Sequence, residues 1–437
     1  MVKRVARFEY SGVPLGSLWW CEGRDHLTGD VVWLLTSDPH AEGVRTLDAW
    51  ASHVAAGPPR RPNPYAPQWK PESELKPKDV PRQRKLQRLW RKEREDRGRH
   101  TEKEEEIKDL VRRGALFVVS HSGGKDSQAQ LVQVRKVVPD EQLLVVHAPL
   151  RMVEWEGAVE QARADTPPGV PFLLAEPVDK HGHEKTLLGW ILERARRQVS
   201  RGKYGAWPSK AQRWCTSDFT TGTIRTVIKR YADEHGHTLI VEAWGLRAEE
   251  SERRAESPAL YKDKKESGVK SRALRRPREW WVWLPIKWMT TEEVFDTIHA
   301  AGKQPLWTYQ EGMSRASCAF CILASQQDLR LAAHLAPELY ALYVAVERIV
   351  DEMFQEAQGV AHTMKKGKTI EQTTGIPADA RLVAQYMNVI RETGDVTDVP
   401  IAAAVPRPTE RRLRRLRVLT ERDTQRPKTA QMELLFG

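Results

Sequence analysis

Six residues, Ser122-Gly123-Gly124-Lys125-Asp126-Ser127, join an apolar run to a helical pattern in the stretch ALFVVSHSGGKDSQAQLVQV. Two glycines let backbone N–H groups approach an anion closely, the lysine adds a charge, and the serine hydroxyls add donors. A turn between a parallel strand and a helix N-terminus is where α/β proteins hold phosphate. The loop is neither G-x-x-x-x-G-K-[ST] nor G-x-G-x-x-G, so γ-phosphate cleavage and dinucleotide binding are not the expected chemistry. Asp126 suits either a Mg²⁺ ion or the cap of the following helix. Arg247 follows the strand-like run TLIVEAWG, where bidentate pairing with a phosphate or sulfate is expected. Glu249 or Glu250 would orient that arginine or hold Mg²⁺. Arg213 is a further residue placed to face the anion, whereas His147, closing a second strand-like run, reads as a packed residue rather than a base.

The second set of reactive residues is the cysteines. Four in 437 residues argue against a disulfide scaffold. Cys318 and Cys321 form C-x-x-C, and Cys215 stands about a hundred residues earlier. Four readings are open: small buried hydrophobes, a redox dithiol outside its usual βαβ setting, a tetrahedral zinc site, which normally needs four protein ligands, and a [4Fe–4S] cluster on three thiolates. Cys21, in LWWCEG, is available as a fourth ligand, but its spacing does not argue for it.

These residues need elements to position them. Residues 1–56 read as a small β-rich piece with DVVWLLTS as its best strand. Residues 57–113 read as a Pro-rich connector and an exposed charged helix. From 114 to 324, short apolar runs (ALFVVS, QLLVVHA, PFLLAE, TLIVEAWG) alternate with amphipathic stretches at 127–137, 154–164, 185–199 and 220–235. That alternation predicts an α/β, doubly wound parallel sheet with helices on both faces. WWVWLPI adds a strand and TTEEVFDTIHAAG a helix, while the polar stretch 252–279 reads as a mobile basic loop. Residues 325–404 read as a helical extension and 405–437 as a basic tail. No run of eighteen apolar residues occurs and MVKRVARFEY is not a signal peptide, so a cytoplasmic protein without a membrane anchor is expected. The formal net charge of +11 and pI near 9.4 suit a polyanionic partner. Trp280 and Trp281, beside the basic loop, are candidate stacking platforms for bases.

The SGGKDS loop resembles the pyrophosphate loop of the PP-loop ATP pyrophosphatases, which share an adenine-nucleotide α-hydrolase fold and split ATP between its α- and β-phosphates. Four further segments resemble the PAPS-reductase-like branch. They are PSKAQRWCTSDFTTGTIRTVIKR, WGLRAEESERRA (as G-x-R-x-x-E-S-x-x-R), LPIKWMTTEEVF, and PLWTYQEGMSRASCAFCI, in which Gln304 replaces a His. The likeness covers roughly 115–335 in the branch's own order, with VVHAPLRMVEWEGAVEQA in place of its second strand and acidic follow-on. It implies an ATP site on Ser122, Gly123, Gly124, Lys125, Asp126, Ser127, Arg213 and Arg247, with Lys125, Asp126, Arg247 and Glu250 catalytic and Mg²⁺ as cofactor. The DNA-phosphorothioation members resemble this chain at Cys215, Cys318 and Cys321, which implies a [4Fe–4S] cluster ahead of zinc. True sulfonucleotide reductases carry a nucleophilic cysteine in a C-terminal C-G-[IL]-H segment; no cysteine follows Cys321, so that reaction is not expected. Residue 2 is Val, which fits the amidotransferase PP-loop enzymes poorly.

The expectation is therefore an ATP pyrophosphatase that adenylates a substrate for sulfur transfer to DNA or tRNA, served by a cysteine desulfurase or another sulfur donor. Two alternatives stand beside it. One is sulfate adenylyltransferase-like activation of a small anion. The other is a non-catalytic nucleotide-binding subunit of a phage or defence system.

Overall fold

A computed structural model describes the backbone of four strands between residues 2 and 36, Arg84 and Arg88, and residues 101–409 apart from 180, 272, 273, 317 and 366. The chain divides into two units, 1–66 and 67–437. The first contains an antiparallel meander of β1 (Val2–Val5), β2 (Phe8–Leu15), β3 (Leu18–Asp25) and β4 (Val31–Thr36), paired in chain order. Cys21 lies on β3, in register with Gly12 and Leu34. The Pro-rich connector and the tail beyond 409 lie outside the described residues, as does all but the end of the charged helix. That end is α1 (Thr101–Arg112).

The second unit is an α/β domain. Its sheet comprises β5 (Leu116–Ser120), β6 (Leu143–His147), β7 (Phe172–Leu174), β8 (Leu239–Ala243), β9 (Leu260–Lys262) and β10 (Glu279–Trp283), in the spatial order β7-β6-β5-β8-β10-β9. Every pairing is parallel except β9 with β10. Successive residues of β5 explain why both faces are covered. Phe117 and Val119 pack with Leu131 and Val134 of α2 (Lys125–Val134) and with α1. Leu116 and Val118 pack with Ile224, Val227 and Ile228 of α5 (Gly222–Glu234). A strand buried on both sides reads as a continuous apolar run, as ALFVVS does. Counted from β5, the parallel strands run third, second, first, fourth, fifth across the sheet, an order compatible with a Rossmann-like fold. The direction of winding reverses between β5 and β8, and ligands bind outside the carboxyl ends of strands at such a point.

The remaining helices complete the unit. They are α3 (Ala158–Asp165), α4 (Leu187–Val199), α6 (Glu252–Glu256), α7 (Thr291–Ala300), α8 (Trp307–Gln310), α9 (Gln326–Leu335), α10 (Pro337–Gln358), α11 (Ile370–Thr374) and α12 (Ala380–Thr393). The extension predicted from 325 is helical, and it is not a separate body. Its α10 is buried along most of its length against α4, α9 and α12 in one core that also takes Trp155, Trp214 and Phe320. The chain then returns, and Val405 bridges Trp155.

The stretch 252–279 differs from the mobile loop expected of it. Leu260, buried in a sheet core, anchors β9 as the antiparallel edge. Asp263 pairs with Arg225 at 2.8 Å, and Arg278 pairs with Asp233. The polar composition that suggested disorder supplies cross-links instead. Trp280 is no stacking platform: it is fully buried, and its indole N–H donates to Glu242 Oε2 at 3.1 Å. Trp281 is half-buried against a sheet core, its indole N–H held by Glu279.

Candidate active site

The glycine loop leaves β5 at the point where the winding reverses. Gly123 has φ +72°, and a Cβ there would run into the Ala158 carbonyl, so the residue must be glycine on both counts. His121 Nδ1 accepts the Gly123 N–H at 3.1 Å, and the other ring nitrogen faces Asp165 Oδ2 at 3.3 Å. Burial holds His121 below the usual histidine range, against the pull of Asp165. The ring is therefore neutral near pH 7, with Nδ1 free to accept. Ser127 Oγ takes the Ser122 N–H at 3.2 Å and donates to the Gly124 carbonyl at 2.8 Å. Gly245, after β8, crosses the first turn of α2 so closely that a Cβ would lie 2.8 Å from Gln130 Oε1 and 3.2 Å from the Asp126 carbonyl.

Asp126 does not cap α2; Gly124 is the N-cap, with no side-chain bond to it. The Asp126 carboxylate lies between two cations, with Lys125 Nζ at 2.8 Å and Arg247 Nε at 2.6 Å. Burial alone would raise its pKa, but the charges of Lys125 and Arg247 outweigh that and hold it below the usual carboxylate range. The rest of the Arg247 guanidinium contacts Glu249 and Thr291 Oγ1, the latter at 3.0 Å, and Thr291 donates to Glu249 at 2.7 Å. Glu250 accepts the Arg247 backbone N–H at 3.2 Å and pairs with Arg254. Both glutamates thus orient arginines.

The arginines gathered here exceed those expected. Arg254 is lowered to about 10 by burial first, then by repulsion from Arg213 and Arg315, with Arg247 adding to it and Asp126 opposing. Five cations (Lys125, Arg213, Arg247, Arg254, Arg315) therefore meet three carboxylates (Asp126, Glu249, Glu250). Among the described residues this half-buried site carries an excess of positive charge, which suits an anion.

The three cysteines of this unit share a second locality beside the first. Cys215 sits in the helical turn Trp214–Thr216, and Cys318 and Cys321 occupy one turn closed by the Cys321 N–H on the Cys318 carbonyl at 3.1 Å. All three are free and half-buried. Burial pushes Cys215 up, then the Cys321 sulfur, while Arg213 works the other way. Cys318 is pushed well up by burial, then by Cys321, Cys215 and Glu154. Each of these two thiols feels its partners, so residues about a hundred apart in sequence meet here. Tyr343 of α10, wholly buried, feels all three. Among the described residues no three His, Cys, Asp or Glu side chains already stand at metal-binding spacing.

Tyr309 joins the two localities. Its hydroxyl accepts the Lys125 N–H and the Ala316 N–H, each at 3.1 Å, and its ring lies 5.5 Å from Lys125 Nζ. A Cβ on Gly124 would sit 3.1 Å from the Ala316 carbonyl. The segment that carries Arg315 and the C-x-x-C turn is thus the far wall of the glycine loop. His147 is packed as expected, fully buried, with Nδ1 on the His121 carbonyl at 2.7 Å and Nε2 3.2 Å from Glu154. Sequence reasoning alone does not single out Arg254, Arg315, Tyr309 or His121. Arg254 and Arg315 stand in S-x-x-R and R-x-x-C, and that spacing is the available signal.

No family model matches the chain. One curated protein, the "Uncharacterized 37.8 kDa protein in gpa 5'region" of Escherichia phage 186, is 31% identical over 148 residues. The match takes in 33% of this chain and 40% of the phage protein. No helix among the described residues is long and apolar enough to cross a membrane.

Proposed function

We propose that the chain is a PP-loop ATP pyrophosphatase of the PAPS-reductase-like branch, adenylating a substrate for sulfur transfer to nucleic acid. The observation that carries this reading is the cation surplus around Asp126, set at the reversal point of a parallel sheet and sharing a wall with three thiols. Lys125 and the α2 N-terminus would hold the β- and γ-phosphates. Asp126, already flanked by Lys125 and Arg247, would take Mg²⁺ by exchanging a cation contact. Arg213, Arg247, Arg254 and Arg315 would meet the charge that grows on the α-phosphate. A substrate oxygen attacks the α-phosphorus, the bond to the β-bridging oxygen breaks, and pyrophosphate leaves. The outer sulfur of a persulfide on a desulfurase-charged donor then attacks the activated position and AMP leaves. A second thiol attacks the resulting S–S bond, forming a disulfide with the donor thiol and leaving the sulfur on the product.

Three thiols, with the one carboxylate that Cys318 feels, Glu154, already engaged by His147, suit a [4Fe–4S] cluster better than zinc. Cys215, Cys318 and Cys321 would hold it as thiolates, and such a cluster leaves one iron open to a sulfur ligand. Cys215 and Cys318 must each give up a proton to bind it, and Arg213 favours that loss at Cys215. The sulfate adenylyltransferase-like reading accounts for the arginines but leaves the thiols without a role.

Product analysis tests the reading. Incubation with ATP, Mg²⁺ and DNA or tRNA should give AMP and pyrophosphate. ADP and phosphate, or no cleavage with either nucleic acid, would contradict it.

A further inference from the structure

At 252–279 Arg254, Lys262 and Arg278 are ion-paired within the fold, while Lys264, Lys265, Lys270, Arg275 and Arg276 stay exposed. Trp280 is buried and Trp281 half-buried, however, so an open aromatic face beside cations has to be located elsewhere. The segment 185–213 carries eight cations (Lys185, Arg194, Arg196, Arg197, Arg201, Lys203, Lys210, Arg213) against one acid, Glu193. Five of them are exposed; Arg196 donates to the Gly394 carbonyl, and the other four, Arg201, Lys203, Lys210 and Arg213, are not ion-paired to another described residue. Between them stands Tyr204, 55% exposed, the one aromatic among the large hydrophobic side chains exposed in the described residues.

This tyrosine is held rather than loose. Its ring stacks on Phe354 at 5.9 Å and 14°, with His362 at 6.3 Å. The backbone around it is tied down too, because the Lys203 N–H reaches the Gln198 carbonyl at 2.9 Å and the Ala206 N–H reaches His362 Nε2 at 3.1 Å. The tract also leads to the chemistry. Lys210 repels Lys365, which lies close enough to Cys321 to feel its charge, and Arg213 adjoins both Cys215 and Arg254.

We propose that the loop from Arg201 to Arg213 binds a single-stranded or flipped-out segment of nucleic acid, with Tyr204 stacking on a base and Arg201, Lys203 and Lys210 following the phosphates toward Cys215. A fixed aromatic face between unpaired cations is the device by which proteins hold single strands without reading sequence. A duplex would offer the phosphates but no open base face. The proposal rests on the nucleic-acid reading above, and it names the surface and the strand state that reading leaves open.

Fluorescence anisotropy with a labelled single-stranded oligonucleotide and with its duplex tests it, using the full chain. The single strand should bind more tightly than the duplex. Arg201→Glu/Lys203→Glu should weaken it at least tenfold and flatten the salt dependence by about 1.4 in log–log slope, roughly 0.7 for each phosphate that is no longer neutralised. Tyr204→Ala should cost about five- to a hundredfold with the salt slope unchanged, and Tyr204→Phe should restore binding. ATP affinity, measured on the same variants, should stay at the wild-type value, so failure of the nucleotide site would register separately. Wild-type binding by both variants, equal preference for the duplex, or binding only to vesicles of anionic lipid would overturn the proposal.

Discussion

The Tyr309 hydroxyl accepts N–H groups from two segments 191 positions apart, Lys125 and Ala316. Removing one buried acceptor leaves two donors without partners, at about 1–3 kcal/mol each. Tyr309→Phe should therefore destabilise the fold by about 2–6 kcal/mol in urea denaturation and weaken ATP binding at the same time. Loss of stability with unchanged ATP affinity would detach the tyrosine from the site. The thiols give a prediction in pH. Cys215 and Cys318 are raised in the folded chain, whereas the unfolded thiols titrate near pH 8.5. Above that pH the unfolded chain has released protons that the folded chain still holds. The metal-free protein should therefore keep its stability up to about pH 8.5 and lose it as the pH rises further. Metal binding must expel those same protons, so affinity for iron or zinc should rise with pH between 6 and 8. A flat metal affinity over that range would contradict the protonated-thiol state. At this scale the sequence was legible where a residue type has few uses, as at Lys125, Arg247 and the C-x-x-C pair. It was not legible at Tyr309, whose ring and hydroxyl are asked for by segments distant in sequence.

The loop between β5 and α2 works as an element because its backbone donors are assigned before any ligand arrives. His121 fixes Gly123, Ser127 fixes Ser122, and Tyr309 fixes Lys125. His121 brings acid sensitivity. Its folded pKa is lowered, so its contribution to stability is present above about pH 6.5 and is lost as the pH falls through the folded value. A proton on Nδ1 also removes the acceptor of the Gly123 N–H. ATP affinity should fall as the pH drops through the lowered His121 value, and His121→Gln, which keeps a side-chain acceptor, should shift or abolish that fall. An unchanged acid profile in the variant would clear His121 of the role. The strand pattern was legible because ALFVVS and TLIVEAWG are apolar on both faces, as buried parallel strands must be. The edge β9 was not, because only Leu260 reaches a sheet core while Asp263 and Glu266 engage Arg225. Charge spent inside a fold has the same composition as charge spent on solvent.

At the scale of the molecule, parallel-sheet topology explains how residues from 121 to 321 reach one place. Each crossover returns the chain to the same carboxyl edge, so the loops after β5 and β8 open side by side. The segments carrying Cys215 and Cys318 are then packed inward by α10 of the helical extension, through the core that holds Trp214 and Phe320. That the strands form a mostly parallel sheet was legible from the alternation of runs; their order was not. The burial of α10 was not, because its apolar face gives no partner until α4, α9 and α12 are folded around it. Net charge pointed to an anion but not to its location, since exposed and cross-linked arginines are identical in sequence. The central claim is that the glycine loop and its surplus arginines form one nucleotide site. Calorimetric titration of ATP with Mg²⁺ into wild type, Lys125→Ala and Arg254→Met tests this most directly. The account predicts binding by the wild type and at least tenfold weaker binding in each variant, with circular dichroism unchanged. Wild-type affinity in both variants, with the fold intact, would contradict it.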